Sequence, residues 1–290
     1  MVAHRLPGVG LISVAELAQR LGDPALRVVD VRWYLSRPGD GQRAYDAGHI
    51  PGAIFLDLDT DLSDLDGFGA PGRHPLPSPP DFRRRLESAG IGSEHFVVAY
   101  DDTGGTSAAR LWWMLDNLGH RGGAAVLDGG LQAWQADGQP LSTEQPRFAP
   151  AQLELSERWT GIIDRATLAE RLGHVNLLDA RAAERYRGEV EPIDPVAGHI
   201  PTALSYPTAG NLAEDGRFLP VDRLRRRFAP VAAGDRPVVT SCGSGTTACH
   251  NALAMRLAGL PEPLLYVGSY SDWSRSGLPI ATGPKPGAAP

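Results

Sequence analysis

Two cysteines occur in the chain, and the first, Cys242, stands where the β-branched run "PVVTS" gives way to the helix-like pattern "TACHNALAMRLAG". From Gly243 to Thr247 every residue is small. Such a backbone can curl around a point and aim several N–H groups at it, which at a helix N-terminus makes a nest for an anion. A thiolate gains from those donors and from the helix dipole, and comparable sites hold a cysteine at a pKa of about 3.5–7.5 against about 8.5 for a free thiol. Cys242 therefore reads as a nucleophile, because a cysteine that merely fills core space has no use for a glycine-bracketed polar turn. Gly243, Gly245, Thr246 and Thr247 read as the residues that bind the anion. Cys249 falls within the following helix and reads as an inert core residue, with geometry against a bridge to Cys242. Phosphoryl transfer at a cysteine needs an arginine six positions further on, and that place holds Ala248.

A strand that ends on a reactive residue implies an open α/β sheet, where ligands bind beyond the carboxyl ends of the strands. The sequence supplies that sheet twice. "RVVDVR", "GHIPGA", "FVVAYDD" and "LDGGLQAW" in the first half return in order as "VNLLDAR", "GHIPTA", "PVVTSC" and "YVGSYSDW" in the second. Short Val/Leu/Ile runs alternating with amphipathic helical patterns predict α/β domains, each a mainly parallel sheet flanked by helices. Ser13 begins a capping box, and Asp164 opens a helix at the same place in the second copy. The division is residues 1–139, a linker over 140–160 marked by prolines and no periodicity, residues 161–283, and a disordered Pro/Gly/Ala tail over 284–290. Sliding the copies together through their helices sets Asp102 opposite Cys242, so the first copy lacks the thiol. His49 and His199 recur in both "GHIP" turns and read as loop-fixing residues rather than metal ligands. Trp112, Trp113, Trp134 and Trp273 read as core.

Composition bounds the partners. A formal net charge of −6 and a pI near 5.7 argue against nucleic acid and against an anionic membrane. No run of about 18 apolar residues and no signal peptide is present, and two cysteines make no disulfide framework, so a cytoplasmic protein is expected. No metal or organic cofactor is expected.

The doubled "GHIP", the "LDGG…W" element, the loop "CGSGTTA" and the acidic residue in place of the first-copy cysteine together resemble the tandem-domain rhodanese-like sulfurtransferases, over about residues 11–283. The resemblance implies that Cys242 takes a sulfane sulfur from a small anionic donor, holds it as a persulfide, and passes it to a thiol, cyanide or a thioredoxin-like acceptor. "CGSG" looks like the 3-mercaptopyruvate branch, whereas the thiosulfate branch carries "CRKG". In the former a Ser–His–Asp set manages a proton, matching Ser244, His74 in "RHPLP" and Asp59 in "FLDLD". His74 is otherwise a loop histidine at the domain seam. Arg185 matches the arginine that holds the donor's carboxylate or sulfonate, and Arg181 reads as structural. A second arginine usual in the mercaptopyruvate branch is missing, since its place near Asp194 is acidic; Arg187 is a candidate replacement. Thiosulfate therefore stays open as donor. A non-catalytic persulfide carrier or partner-docking module is the alternative.

Overall fold

The computed structural model describes residues 10–65 and 72–289. The opening stretch read for a signal peptide begins at residues that lie outside these. In the first half, the strands are β1 (Leu11–Ile12), β2 (Leu26–Asp30), β3 (Ala53–Phe55), β4 (Phe96–Tyr100) and β5 (Ala124–Leu127). They form one sheet in the order β1-β5-β4-β2-β3, every pair parallel. In the second half, β6 (Ile162–Ile163), β7 (Asn176–Asp179), β8 (Leu204–Ser205), β9 (Val238–Ser241) and β10 (Leu264–Tyr266) repeat that order as β6-β10-β9-β7-β8, again parallel throughout. The expected architecture of two α/β domains, each with a parallel sheet and flanking helices, is what the chain adopts.

Helices start where their caps dictate. The Ser13 side chain accepts the Glu16 N–H at 3.2 Å while Glu16 accepts the Ser13 N–H at 3.0 Å, which opens α1 (Val14–Arg20). Asp164 accepts the Thr167 N–H at 2.8 Å and opens α6 (Arg165–Glu170). The first domain continues with α2 (Asp40–Ala47), α3 (Pro79–Ser88), α4 (Ala108–Asn117) and α5 (Gly130–Ala136). The second continues with α7 (Ala183–Arg187), α8 (Val221–Ala232), α9 (Ala248–Leu257) and α10 (Ser269–Trp273).

Among the described residues three apolar cores result, and the largest belongs to neither domain alone. Val29, Leu58, Leu76, Trp112, Trp113 and Met114 from the first half are buried in one cluster with Leu178, Leu253, Met255 and Leu265 from the second. Separate cores around Trp134 and around Trp273 back the outer face of each sheet. Burying apolar surface from both domains together fixes them as one body. The linker joins in through the first domain, where Ser142 bridges His49 and Leu153 is buried.

His49 and His199 do fix loops. Each stacks on a tyrosine and places both ring nitrogens on backbone carbonyls, Tyr45 and Glu144 for His49, Tyr186 and Lys285 for His199. The second of these contacts corrects the expectation for the tail. The Thr202 N–H also donates to the Pro286 carbonyl, at 2.6 Å, so residues 285 and 286 are tied to the second domain through carbonyl oxygens, which every residue type carries and composition does not display.

The two domains also exchange side chains across the seam. His250, fully buried in α9, faces the Gly104 carbonyl with Nε2 at 3.0 Å and the Asn211 amide with Nδ1 at 3.1 Å, and it stacks on Phe218. The amide and carbonyl fix the tautomer: Nε2 carries the proton. Burial pushes the ring's pKa down from 6.5 to about 4. Above pH 6.5 the ring is neutral folded or unfolded; below it only the unfolded chain takes up the proton, so stability falls as pH drops and levels off below about 4. Urea unfolding of the wild type at pH 7 and pH 4.5 will therefore show an extra loss of about 2–3 kcal/mol relative to His250→Gln, which does not titrate. Parallel losses in the two proteins would contradict it.

Candidate active site

Cys242 follows β9 directly, and its Sγ accepts N–H groups from Ser244 at 3.4 Å and Gly245 at 3.1 Å. The nest foreseen from Gly243 to Thr247 is thus narrower at the sulfur: the amides of Gly243, Thr246 and Thr247 make no bond to it among the described residues, and Thr246 and Thr247 already lead into α9. Thr246 and Thr247 instead line the cleft. Gly245 has φ +81°, and a Cβ there would lie 2.4 Å from the Val267 carbonyl oxygen. No other residue fits this turn. Behind the loop, Ser269 accepts the Cys242 N–H at 3.0 Å, and Tyr270 donates its N–H to the Cys242 carbonyl at 2.9 Å.

Equivalent bonds in the first domain correct the pairing of the repeats. Leu131 donates its N–H to the Asp101 carbonyl at 2.9 Å, so Asp101 and not Asp102 stands where Cys242 does. Helices α4 and α9 suggest the other alignment because the first loop is one residue longer. The Asp101 carboxylate, with no exposure to solvent, accepts N–H groups from Thr103, Gly105, Ser107 and Ala108 at 2.8–2.9 Å. The loop geometry shared by both copies turns amide donors toward a buried acceptor.

Ser244, His74 and Asp59 meet in one hydrogen-bonded row. His74 Nε2 lies 3.0 Å from Asp59 Oδ1 and Nδ1 lies 2.7 Å from Ser244 Oγ. A carboxylate only accepts, so Nε2 carries the proton and the Ser244 hydroxyl donates to Nδ1. Trp33 donates its Nε1–H to the other Asp59 oxygen at 3.0 Å and packs edge-on against His74. Burial lowers the His74 pKa, with Asp59 pulling the other way. The hydrogen bond from His74 lowers that of Asp59. The row is therefore a neutral imidazole held between a carboxylate and a hydroxyl, brought to the loop by the first domain's long segment after β3.

That segment also carries Arg73, which sequence reasoning passed over. Arg73 pairs with Asp194, the acidic residue standing near the place of the missing arginine. Arg275 joins the same carboxylate at 2.9 Å and Arg185 at 3.4 Å, while Arg185 holds Glu191 at 2.7 Å. The Asp194 and Glu191 side chains are almost wholly buried beneath these guanidinium groups. A Cβ on Gly243 would lie 2.8 Å from Arg73 Nη2 and 3.6 Å from Arg185 Nη1. Neither nitrogen bonds another described residue, so two guanidinium corners converge over the loop next to the sulfur. The only sequence signal for Arg73 was its place beside His74.

Arg181 is structural, as expected, chelating Asp179 and the Gly198 carbonyl as Arg32 does Asp30 and the Gly48 carbonyl. Arg187 does not serve as the replacement; it pairs with Glu189 at the surface. Cys249 is buried, and burial pushes its thiol up to about 12. It donates to the Gly245 carbonyl at 3.4 Å. Between the domains, above the loop, opens a cleft of about 450 Å³, walled by Arg73, Arg185, Gly243 and Ser244 on one side and by Trp33 and Thr106 on the other. Cys242 itself is 1% exposed and sits next to the lining residues Gly243 and Ser244. Among the described residues no cluster of His, Cys, Asp and Glu is arranged to hold a metal ion, and no helix is long and apolar enough to cross a membrane.

Comparison with known proteins places the fold and this loop in a family. The family model of the rhodanese-like domain matches residues 13–137 and again 164–276. A Pseudomonas aeruginosa protein named "Probable 3-mercaptopyruvate sulfurtransferase" is 48% identical over 94% of this chain and 98% of its own length. The human 3-mercaptopyruvate sulfurtransferase is 36% identical, covering 90% of this chain and 89% of that one. The rat thiosulfate sulfurtransferase is 32% identical over 96% of each. Among solved structures, the 3-mercaptopyruvate sulfurtransferase of Leishmania major superposes with a TM-score of 0.81 at 33% identity, covering 93% of this chain and 75% of that one. With two matched domains in one chain, a parallel sheet in each and a cysteine loop in the second, this protein belongs to the tandem-domain rhodanese-like sulfurtransferases.

Proposed function

We propose that the chain moves sulfur from 3-mercaptopyruvate through a persulfide on Cys242 to a thiol acceptor. The observation that carries this reading is the convergence of Arg73, Arg185 and the Ser244–His74–Asp59 row on the loop that follows Cys242, beside a small cleft. A donor carboxylate fits the two free guanidinium corners, as charge-assisted and bidentate recognition requires. The Cys242 thiolate attacks the donor's thiol sulfur. The donor's C–S bond breaks, its electron pair passes to the methylene carbon as the pyruvate enolate, and an S–S bond forms to Cys242. The proton that leaves the donor's thiol travels through Ser244 and His74 to that carbon, giving pyruvate and a persulfide anion with nothing left over. An acceptor thiolate then takes the outer sulfur and restores the Cys242 thiolate.

Thiosulfate transfer releases sulfite and moves no proton to carbon, so it has no need of the row. This distinction favours mercaptopyruvate, and Arg73 answers the objection raised by Asp194. The cleft's size supports a small donor, and its free thiols fit a reducing compartment such as the cytoplasm.

Incubation with mercaptopyruvate will add one sulfur to Cys242 in the intact mass, and Cys242→Ser will neither gain it nor turn over. Ser244→Ala and His74→Ala will lose about 100-fold or more in kcat/KM with mercaptopyruvate and change little with thiosulfate. Equal losses with both donors would remove the proton path, and loading without turnover would identify a carrier instead. Arg73→Gln removes one charged corner of the clamp and will raise KM for mercaptopyruvate about 10-fold or more while the melting temperature holds within a few degrees; an unchanged KM would take Arg73 out of donor binding.

A further inference from the structure

Arg110 lies in α4 of the first domain with no solvent exposure at all, yet it forms no ion pair with any described carboxylate. Its guanidinium donates to three backbone carbonyls: Gly245 at 3.2 Å, His74 at 3.1 Å and Leu62 at 3.3 Å. Its Nε is buried with no partner. Leaving a charge buried without a counter-charge costs several kcal/mol, and carbonyl dipoles recover only part of it. Burial lowers the pKa of its guanidinium, and two sulfurs within its electrostatic reach pull the other way, Cys249 first and Cys242 next. Burial keeps Cys249 a neutral thiol, which leaves Cys242 as the place where an answering negative charge can appear.

Pseudo-symmetry of the seam says why a cation belongs there. His250 of α9 reaches back to Gly104 in the first domain's loop as Arg110 of α4 reaches forward to Gly245 in the second. The first loop encloses a fixed carboxylate, Asp101, with four N–H donors, and the side chain behind it is a neutral imidazole. Among the described residues the second loop offers its sulfur two N–H donors, and the side chain behind it is an arginine, a group that keeps its charge even where burial lowers its pKa. Positive charge replaces the missing donors.

We infer that Arg110 is a positioning residue for sulfur transfer: a buried counter-charge, supplied across the domain seam, that holds Gly245 and His74 in register and stabilises negative sulfur on Cys242. This rests on Cys242 being the residue that carries the sulfur. Among the described residues the charged and titratable groups near that loop include Arg110 from α4, Cys249 from α9, Arg185 from α7 with Glu191 and Asp194 paired to it, and Arg73 and His74 from the segment before α3. Only Arg110 among the three arginines lies outside the cleft lining, so it can alter the sulfur's charge without touching the donor.

The test compares Arg110→Met, of similar length and uncharged, with Arg110→Lys, which keeps the charge. Iodoacetamide alkylation of Cys242, followed by mass spectrometry across pH, will shift its midpoint upward by about one pH unit or more in Arg110→Met and by less in Arg110→Lys. With mercaptopyruvate, kcat will fall about 10-fold or more in Arg110→Met with KM within about twofold, and Arg110→Lys will recover part of it. If Cys242→Ser shows no loading at all while wild type loads, the sulfur-carrying reading stands and these profiles judge Arg110 alone; if wild type fails to load, both fall. A folded Arg110→Met whose alkylation profile matches wild type overturns the inference, and so do equal losses in Met and Lys variants. Should neither variant fold, persulfide-loaded wild type is compared with Cys242→Ser, which leaves the cation unanswered. The loaded protein will melt about 3 °C or more higher, and an equal or lower melting temperature overturns the inference.

Discussion

On the proposed function, negative charge on sulfur, held where water scarcely reaches, is the constraint that the rest of this structure answers. Cys242 is 1% exposed, and in so dry a place an ion survives only if fixed dipoles and charges replace its hydration. The N–H groups of Ser244 and Gly245 supply part of that replacement, and Gly245 can do so because its backbone takes a conformation forbidden to larger residues. The remainder comes from outside the loop. A sheet whose strands all run parallel delivers every strand end to one rim, so the loop after β9, the helix α7 after β7 and the loop after β10 meet without any long excursion of chain.

The two copies solve the same electrostatic problem with different permanence. Asp101 is charged whenever its four amide donors hold it ionised, and burial, which raises its pKa, works against them. A carboxyl group that never leaves can be satisfied once by hydrogen bonds of fixed length. In the proposed cycle the sulfur on Cys242 changes its charge and its size, so a tight ring of four donors would hold one state too firmly. Two donors and a more distant cation tolerate both states, since Coulomb energy falls off slowly with distance while hydrogen bonds do not. Preorganised groups of this kind cost no reorganisation at the moment of reaction.

What the sequence made legible were the features that act locally. Ser13 and Asp164 cap their helices through neighbours three residues away, and the doubled strand pattern predicts two parallel sheets. The glycine-bracketed turn after β9 signals an anion nest from residue types alone. Ser244, His74 and Asp59 came through the family resemblance, and their hydrogen-bonded row is a fact of tertiary structure that no spacing contains. Arg73 and Arg110 escaped because each acts more than a hundred residues from its own place in the chain. In a helix reading "AARLWWML", an arginine passes for a solvated residue until α9 covers it. The Asp101 and Asp102 ambiguity arose because helix and strand alignments differ by one residue, and only backbone pairing to Leu131 and Tyr270 decides between them.

The first domain, lacking a thiol, is therefore as much part of the reactive centre as the second. It contributes Asp59, His74, Arg73 and Arg110, of which the last three bond residues of the second domain, and all but Arg110 sit in the segment after β3. Apolar surface from both halves closes over the seam in a single core, so the geometry of the sulfur site is maintained by the same packing that keeps the domains together. Loosening that packing by an ångström would separate His74 from Ser244 and Arg110 from Gly245 at once, because direct hydrogen bonds do not survive such a gap. Stability of the seam and competence of the sulfur are in this way one physical quantity, and a substitution in the shared core around Trp112 or Met255 acts on chemistry that it never touches.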